Sequence, residues 1–267
     1  MSEVKRKRAR AAKDIPPSIL EQLNKGEIET ANLVEWLAVN QITLLENLLK
    51  DFNRTKYLKP ILTDIQNLKK QTVNTINEAI GTGILKQSIL NNDKEIVSVI
   101  SKHKSDLVRC WSAYIIGKNE KLVIEEILEQ IQFLAADKHF GVREISWLAV
   151  RSSIMNNLDK SLEILSKWAL NEDENIRRFA TEAIRPRGVW CEHISELKQK
   201  PELALKILDS LKSDSSKYVQ DSVGNWLNDA SKTRPDFVKD LCEKWKMESP
   251  TKETAYIIKK ALRTIEK

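Results

Sequence analysis

The sequence predicts an all-α fold, an α-solenoid (α-α superhelix) of stacked antiparallel helix pairs, and three observations predict it. In 267 residues Gly and Pro number only seven each, while Leu, Ile, Lys and Glu abound. That balance favours helices over strands and tight turns. Hydrophobic residues make up 41% of the chain, enough apolar material for a real core. The third observation is a pattern that repeats along the second half of the chain at the length of a helix pair.

Taken from the start, residues 1–14 are rich in Lys and Arg and nearly free of core formers, so they read as a disordered basic arm. Residues 15–90 form an N-terminal helical region opened by Pro16-Pro17, since proline suits a first helical turn. Within it, residues 18–24, 30–39, 41–51 and roughly 58–79 carry apolar residues at helical spacing. Gly26 and the Gly81-Thr82-Gly83 stretch read as breaks.

Residues 91–267 hold the repeats. Leu107-Val108-Arg109, Gly141-Val142-Arg143, Asn175-Ile176-Arg177, Tyr218-Val219-Gln220 and Ile257-Ile258-Lys259 align, each with a β-branched residue followed by a basic or amide one. The first three recur every 34 residues, and the later spacings are 43 and 39. Between them lie second amphipathic segments at 123–134, 161–170, 203–211 and 236–244. Two helices per unit at a steady period is the mark of a HEAT-like solenoid, in which each pair buries its apolar face on its neighbours. Asp106, Asp173, Glu174 and Asp214 suit the helix starts, where free N–H groups favour negative charge.

Charge and motifs narrow the function. The net charge of +6 favours a polyanionic partner. Cys110, Cys191 and Cys242 are sparse and unpaired in spacing, and an intracellular (cytoplasmic, nucleoid-associated if bacterial) protein with reduced thiols is expected. No apolar run reaches 18 residues, so no membrane partner is expected. His103, His139 and His193 lack metal-ligand spacing, and no nucleotide-binding glycine motif occurs; neither metal nor cofactor is expected. Trp36, Trp111, Trp168 and Trp245 lie on apolar stripes and belong in the core.

The chemistry concentrates between Asn175 and Trp190, where four arginines, one glutamate and one tryptophan fall within sixteen residues. Arg178, Glu182 and Arg185 share a helix face. Pro186 and Gly188 end that helix and leave Trp190 in a loop between charged residues, an odd choice for a solubilising segment. The alternative is an ordinary Arg–Glu–Arg ladder on a solvated face.

The run from Arg177 to Trp190, then Ser222-Val223-Gly224-Asn225-Trp226-Leu227-Asn228-Asp229 with Lys232, Pro235 and Val238, then Ala261-Leu262-Arg263-Thr264-Ile265, resembles the AlkC branch of the AlkC/AlkD superfamily. These are HEAT-like-repeat DNA glycosylases that remove N-alkylated purines. The resemblance covers about residues 140–267, with three motifs in the family's order. It implies that Glu182 and Asp229 are catalytic carboxylates and that Trp190 contacts the base or sugar. Where the family carries a further glutamate this chain has Trp147, with Glu144 one turn earlier; both join the candidate site as carboxylate and aromatic contact. Arg143, Arg177, Arg178, Arg185, Arg187, Lys232, Lys259 and Arg263 are the expected contacts to the DNA backbone. The expectation is therefore a monomeric glycosylase acting on duplex DNA. A non-catalytic binder of DNA structure and a protein-interaction scaffold stand beside it as alternatives.

Overall fold

A computed structural model describes residues 6–265, and every regular element among them is helical. In chain order these are α1 (Pro17–Asn24), α2 (Leu33–Ala38), α3 (Gln41–Asp51), α4 (Leu58–Gln66), α5 (Val73–Leu90), α6 (Lys94–Ser101), α7 (Asp106–Gly117) and α8 (Ile124–Ala135). They continue as α9 (Phe140–Asn156), α10 (Leu158–Trp168), α11 (Glu174–Glu182), α12 (Ser195–Gln199), α13 (Leu205–Ser210), α14 (Lys217–Ser231), α15 (Pro235–Glu248) and α16 (Lys252–Leu262). None among the described residues is long and apolar enough to cross a membrane. Side chains of Asn32, Asn40, Thr72, Asp93, Asp173 and Thr251 accept backbone N–H groups at their helix starts, satisfying donors the helix itself leaves free.

The chain divides into two compact units. One holds the described residues through Lys121 together with His139–Ala149, the other Leu122–Lys138 together with everything described from Val150 onward. The expected boundary near residue 90 does not mark this division. The helices on either side of it, α5 and α7, pack on each other, with α4 and α6 also against this pair. Ile61, Ile80, Trp111 and Tyr114 fill the space between them.

Two expectations fail in this unit. Gly81 and Gly83 do not break the chain; α5 runs straight through them. Their lack of a side chain serves close packing instead. A Cβ on Gly81 would lie 2.7 Å from the Trp111 carbonyl oxygen, and one on Gly83 would lie 2.7 Å from Ile61 Cγ1. The break falls earlier, between Gln66 and Val73. The basic arm is also not loose over its described part; residues 1–5 lie outside the described residues. Arg6 pairs with Glu35 and donates to the Glu29 carbonyl at 2.7 Å. Asn32 Nδ2 donates to the Ala9 carbonyl at 2.7 Å, and Ala9 and Ile15 are buried. Lys7, Arg8, Arg10 and Lys13 remain exposed.

The second unit is built of HEAT-like helix pairs. First helices α11, α14 and α16 stack in one layer, and α8, α10 and α13 pack successively in the other. Trp226, Trp245, Val223, Leu227 and Val238 are fully buried, each large side chain contributing about 1.5–3 kcal/mol by leaving water.

The repeat signature has a structural cause. Arg109 Nη1 donates to the carbonyls of His103 and Lys104, at 2.8 and 3.0 Å. Arg177 Nη1 donates to Asn171 and Glu172, at 2.9 and 2.8 Å. Gln220 Nε2 reaches the Asp214 carbonyl at 2.8 Å. In these three repeats the basic or amide side chain satisfies the turn five or six residues before it, while Val108, Ile176 and Val219 beside it enter the core. The last segment departs from this, with Lys259 exposed and Ile257 buried.

Candidate active site

Helix α11 ends at Glu182 and its C-cap is Ala183. Its face carries Arg178 and Glu182, and Arg185 follows in the turn, so the expected grouping forms. It is not a solvated ladder: Glu182 is 6% exposed and Arg178 9%. Glu182 Oε1 accepts from Arg185 Nη1 at 2.9 Å, and Oε2 lies 3.7 Å from Arg178 Nη2. Ser222 of α14 donates to Oε2 at 2.7 Å and itself accepts from Thr181 at 2.8 Å. Burial alone would raise this carboxyl, but the two guanidiniums and the donated hydrogen bonds together hold it below its ordinary range. Glu182 is therefore an anion at neutral pH.

Asp229, also on α14, is 3% exposed. Its Oδ2 accepts from Arg185 Nε and Nη2, at 2.9 and 2.7 Å, so one guanidinium bridges both carboxylates. Asp229 Oδ1 has only a long contact, 3.4 Å, to the half-exposed Lys232. Of the four carboxylate oxygens in the pair it is the least engaged. Burial opposes the charge on Arg185, but Glu182 and Asp229 more than offset that and keep it firmly protonated. Arg178 Cζ lies over the Tyr218 ring, 4.3 Å from its centre.

The loop after α11 is pinned from several sides. Arg151 of α9 donates to the carbonyls of Ala183, Arg185 and Glu192, at 2.9, 2.6 and 2.9 Å. Trp226 Nε1 takes the Ile184 carbonyl at 3.0 Å, and the Ile194 amide closes onto Pro186 at 3.1 Å. Trp190 rides on this loop with φ near 60°, a left-handed conformation uncommon for an aromatic residue, and it is 83% exposed. Arg187 anchors the same loop to Thr233 at 2.8 Å.

The other sequence candidates have surroundings of their own. Trp147 is buried, 6% exposed, and donates its indole N–H to Glu144 at 2.9 Å, so these two are partners of each other in the first unit. Arg143 is half-buried beside them in sequence. Arg177 uses four of its five N–H donors on Asp214 and on the turn before α11. Lys259 and Arg263 are exposed. Among the described residues no group of three or more His, Cys, Asp or Glu is placed to hold a metal.

Residues 142–265 match the family model described as DNA alkylation repair enzyme. The match covers a little less than half of the chain. The uncharacterized protein YhaZ of Bacillus subtilis (strain 168) is 37% identical over 137 residues, 51% of this chain and 37% of its own length. The chain thus spans well under two thirds of that relative. Among solved structures, Pseudomonas fluorescens alkylpurine DNA glycosylase AlkC, bound to DNA containing an abasic site analog, aligns over 97% of this chain and 66% of its own. Its TM-score is 0.66 at 23% identity, a likeness of fold. AlkD2 from Streptococcus mutans aligns with TM-score 0.60 and 26% identity, over 78% of this chain and 97% of its own.

Sequence reasoning missed Arg151, Ser222, Thr181 and Tyr218. Ser222 was visible in the second motif, but nothing in spacing says that its hydroxyl meets Glu182, 40 residues away, until α11 and α14 are stacked.

Proposed function

We propose that this chain is an alkylpurine DNA glycosylase of the AlkC branch, releasing cationic N3- or N7-alkylated purines from duplex DNA inside the cell. The observation that carries the reading is the pair of buried carboxylates, Glu182 and Asp229, joined by Arg185, with the exposed Trp190 on the loop that leaves the same turn. The match of residues 142–265 to the DNA alkylation repair enzyme family model supports it.

The chemistry fits that arrangement. An N-alkylated purine is already positive, so the electron pair of its C1′–N bond leaves with the base and neutralises it without a general acid. The sugar is left with oxocarbenium character. A fixed carboxylate stabilises that charge, because the site does not reorganise as the charge develops. Asp229 Oδ1, the least engaged oxygen, is the one to face the sugar and to take a proton from the water that adds at C1′. Glu182 holds Arg185, and through it Asp229. Trp190 offers an aromatic face to a cationic base or sugar. Arg187, Lys232, Lys259 and Arg263 supply the more accessible contacts to phosphate.

A second reading has its own observation: Trp147 occupies the place of a family glutamate and is buried against Glu144. That favours a binder of DNA structure without catalysis. Release of alkylated purine from methylated duplex DNA separates the two. Release by the native protein that collapses in Glu182→Gln and Asp229→Asn supports the glycosylase. Tight, salt-sensitive DNA binding with no release by the folded native protein supports the binder.

A further inference from the structure

Arg151 is 2% exposed, yet among the described residues it pairs with no carboxylate. Burial weakens its hold on the proton, as expected for a cation taken out of water. All three of its contacts are carbonyls at the two ends of one loop: Ala183 and Arg185 where the chain leaves α11, and Glu192 where it returns. Ala183 is the C-cap of α11, so the cation also lies at the negative end of that helix. An unpaired buried guanidinium is a costly device for closing a surface loop, which a few apolar contacts could do.

What the loop carries gives the cost a purpose. Trp190 stands at its tip in a left-handed backbone conformation, which persists in a non-glycine residue only when its surroundings over-determine it. Gly188 lets the loop lie directly on the guanidinium. A Cβ there would come within 3.1 Å of Arg151 Cζ and 2.4 Å of Cys191 Sγ. Among the described residues the exposed indole makes no hydrogen bond or ring contact that would hold it in place.

We infer that Arg151 is a positioning residue: it fixes the ends of the Pro186–Ile194 loop and thereby presents Trp190 to the DNA. The inference rests on the reading of Trp190 given above. Misplacing a group in such a site by about an ångström costs up to roughly 100-fold in rate.

The test is a double-mutant cycle with single-turnover excision on methylated duplex DNA. Arg151→Met lowers the chemical rate about 10- to 100-fold, with DNA affinity changed by less than about threefold. In a Trp190→Ala background the same substitution costs little more. Equal losses in both backgrounds, or no loss in the first, overturn the inference. Two further arms guard against simple misfolding. Arg151→Ala regains rate with millimolar guanidinium ion and not with urea, and Arg151→Lys, which cannot reach three carbonyls, stays impaired.

A fluorescence arm separates this inference from the proposed function. Subtracting Trp190→Phe spectra isolates the Trp190 signal, with Arg151 intact and replaced. Acrylamide quenching of that signal changes in Arg151→Met. If the native protein releases no base and this change is still seen, the glycosylase reading fails and the positioning role stands. An unchanged signal overturns the role.

Discussion

Arg185 gives two N–H groups, Nε and Nη2, to the same oxygen of Asp229, leaving the other oxygen of that carboxylate nearly free. The pairing is buried, and removing the Asp229 charge leaves Arg185 with Glu182 as its one remaining carboxylate among the described residues. Asp229→Asn is expected to abolish base release and to lower stability by about 3 kcal/mol, the cost typical of breaking a buried ion pair. Urea unfolding followed beside the excision assay measures both. A variant of native stability and native rate would sink the assignment.

Ser222 sets the charge of the other carboxylate. Its hydroxyl is one of the groups that hold Glu182 below the ordinary range. Ser222→Ala therefore raises the Glu182 pKa. Because the native value is depressed, the stability Glu182 contributes is present above the unfolded value of 4.5 and is lost as pH falls through the depressed one. In the variant that loss is smaller and is complete at a higher pH, and the acid limb of the excision profile shifts upward with it. A stability loss of about 1–2 kcal/mol at neutral pH accompanies it.

The arginines divide by what they hold. Arg177→Met costs about 2–3 kcal/mol of stability, since Asp214 and two carbonyls lose their donor. It leaves the salt dependence of DNA binding unchanged. Lys232→Gln, Lys259→Gln and Arg263→Gln do the reverse. Each one that meets a phosphate lowers the slope of log K against log salt by about 0.9 and moves the melting temperature little.

His103 gives a pH dependence unrelated to the site. Burial, helped by Lys104 and Arg109, lowers its pKa from 6.5 to about 4, and its Nδ1 accepts the Ser105 amide at 3.1 Å. The unfolded chain binds the proton more readily, so this contribution is full above pH 6.5 and declines towards pH 4. Its size is about 2 kcal/mol after allowance for partial exposure. His103→Gln flattens the stability profile across that window; a profile with the native slope would count against it.

The pinned basic segment extends the electrostatic prediction. Arg8, Arg10 and Lys13 are exposed on a stretch anchored by Arg6, Ala9 and Ile15. Replacing the three with Gln lowers the salt slope by up to about 2.7 if each reaches a phosphate. An unchanged slope assigns them to solvent.

Helix pairs were legible because burying one face of each helix imposes its period on the residues. Ile176, Phe179 and Ala180 announce α11 without any tertiary information. Gly81 and Gly83 misled for the opposite reason. Glycine reads as a breaker locally, and only the approach of Trp111 and Ile61 shows that it is a fit. The three-motif resemblance singled out Glu182, Asp229 and Trp190. The hydrogen bonds around them were hidden, since Ser222, Arg185 and Arg151 meet partners 32 to 44 residues away. Arg6 likewise looked like a free charge until Glu35 was found across from it.

Arg109, Arg177 and Gln220 each reach back five or six residues to the turn before their own helix. A side chain has one length, so those turns cannot gain or lose a residue without losing their donor. The connection from α11 to α12 has no such ruler within its span, and it is there that the 34-residue period stretches to 43. The chain thus permits lengthening on one side of its repeats and forbids it on the other. New loops grafted into this protein, by evolution or by hand, should survive where Trp190 already sits and fail at the turns those three residues guard.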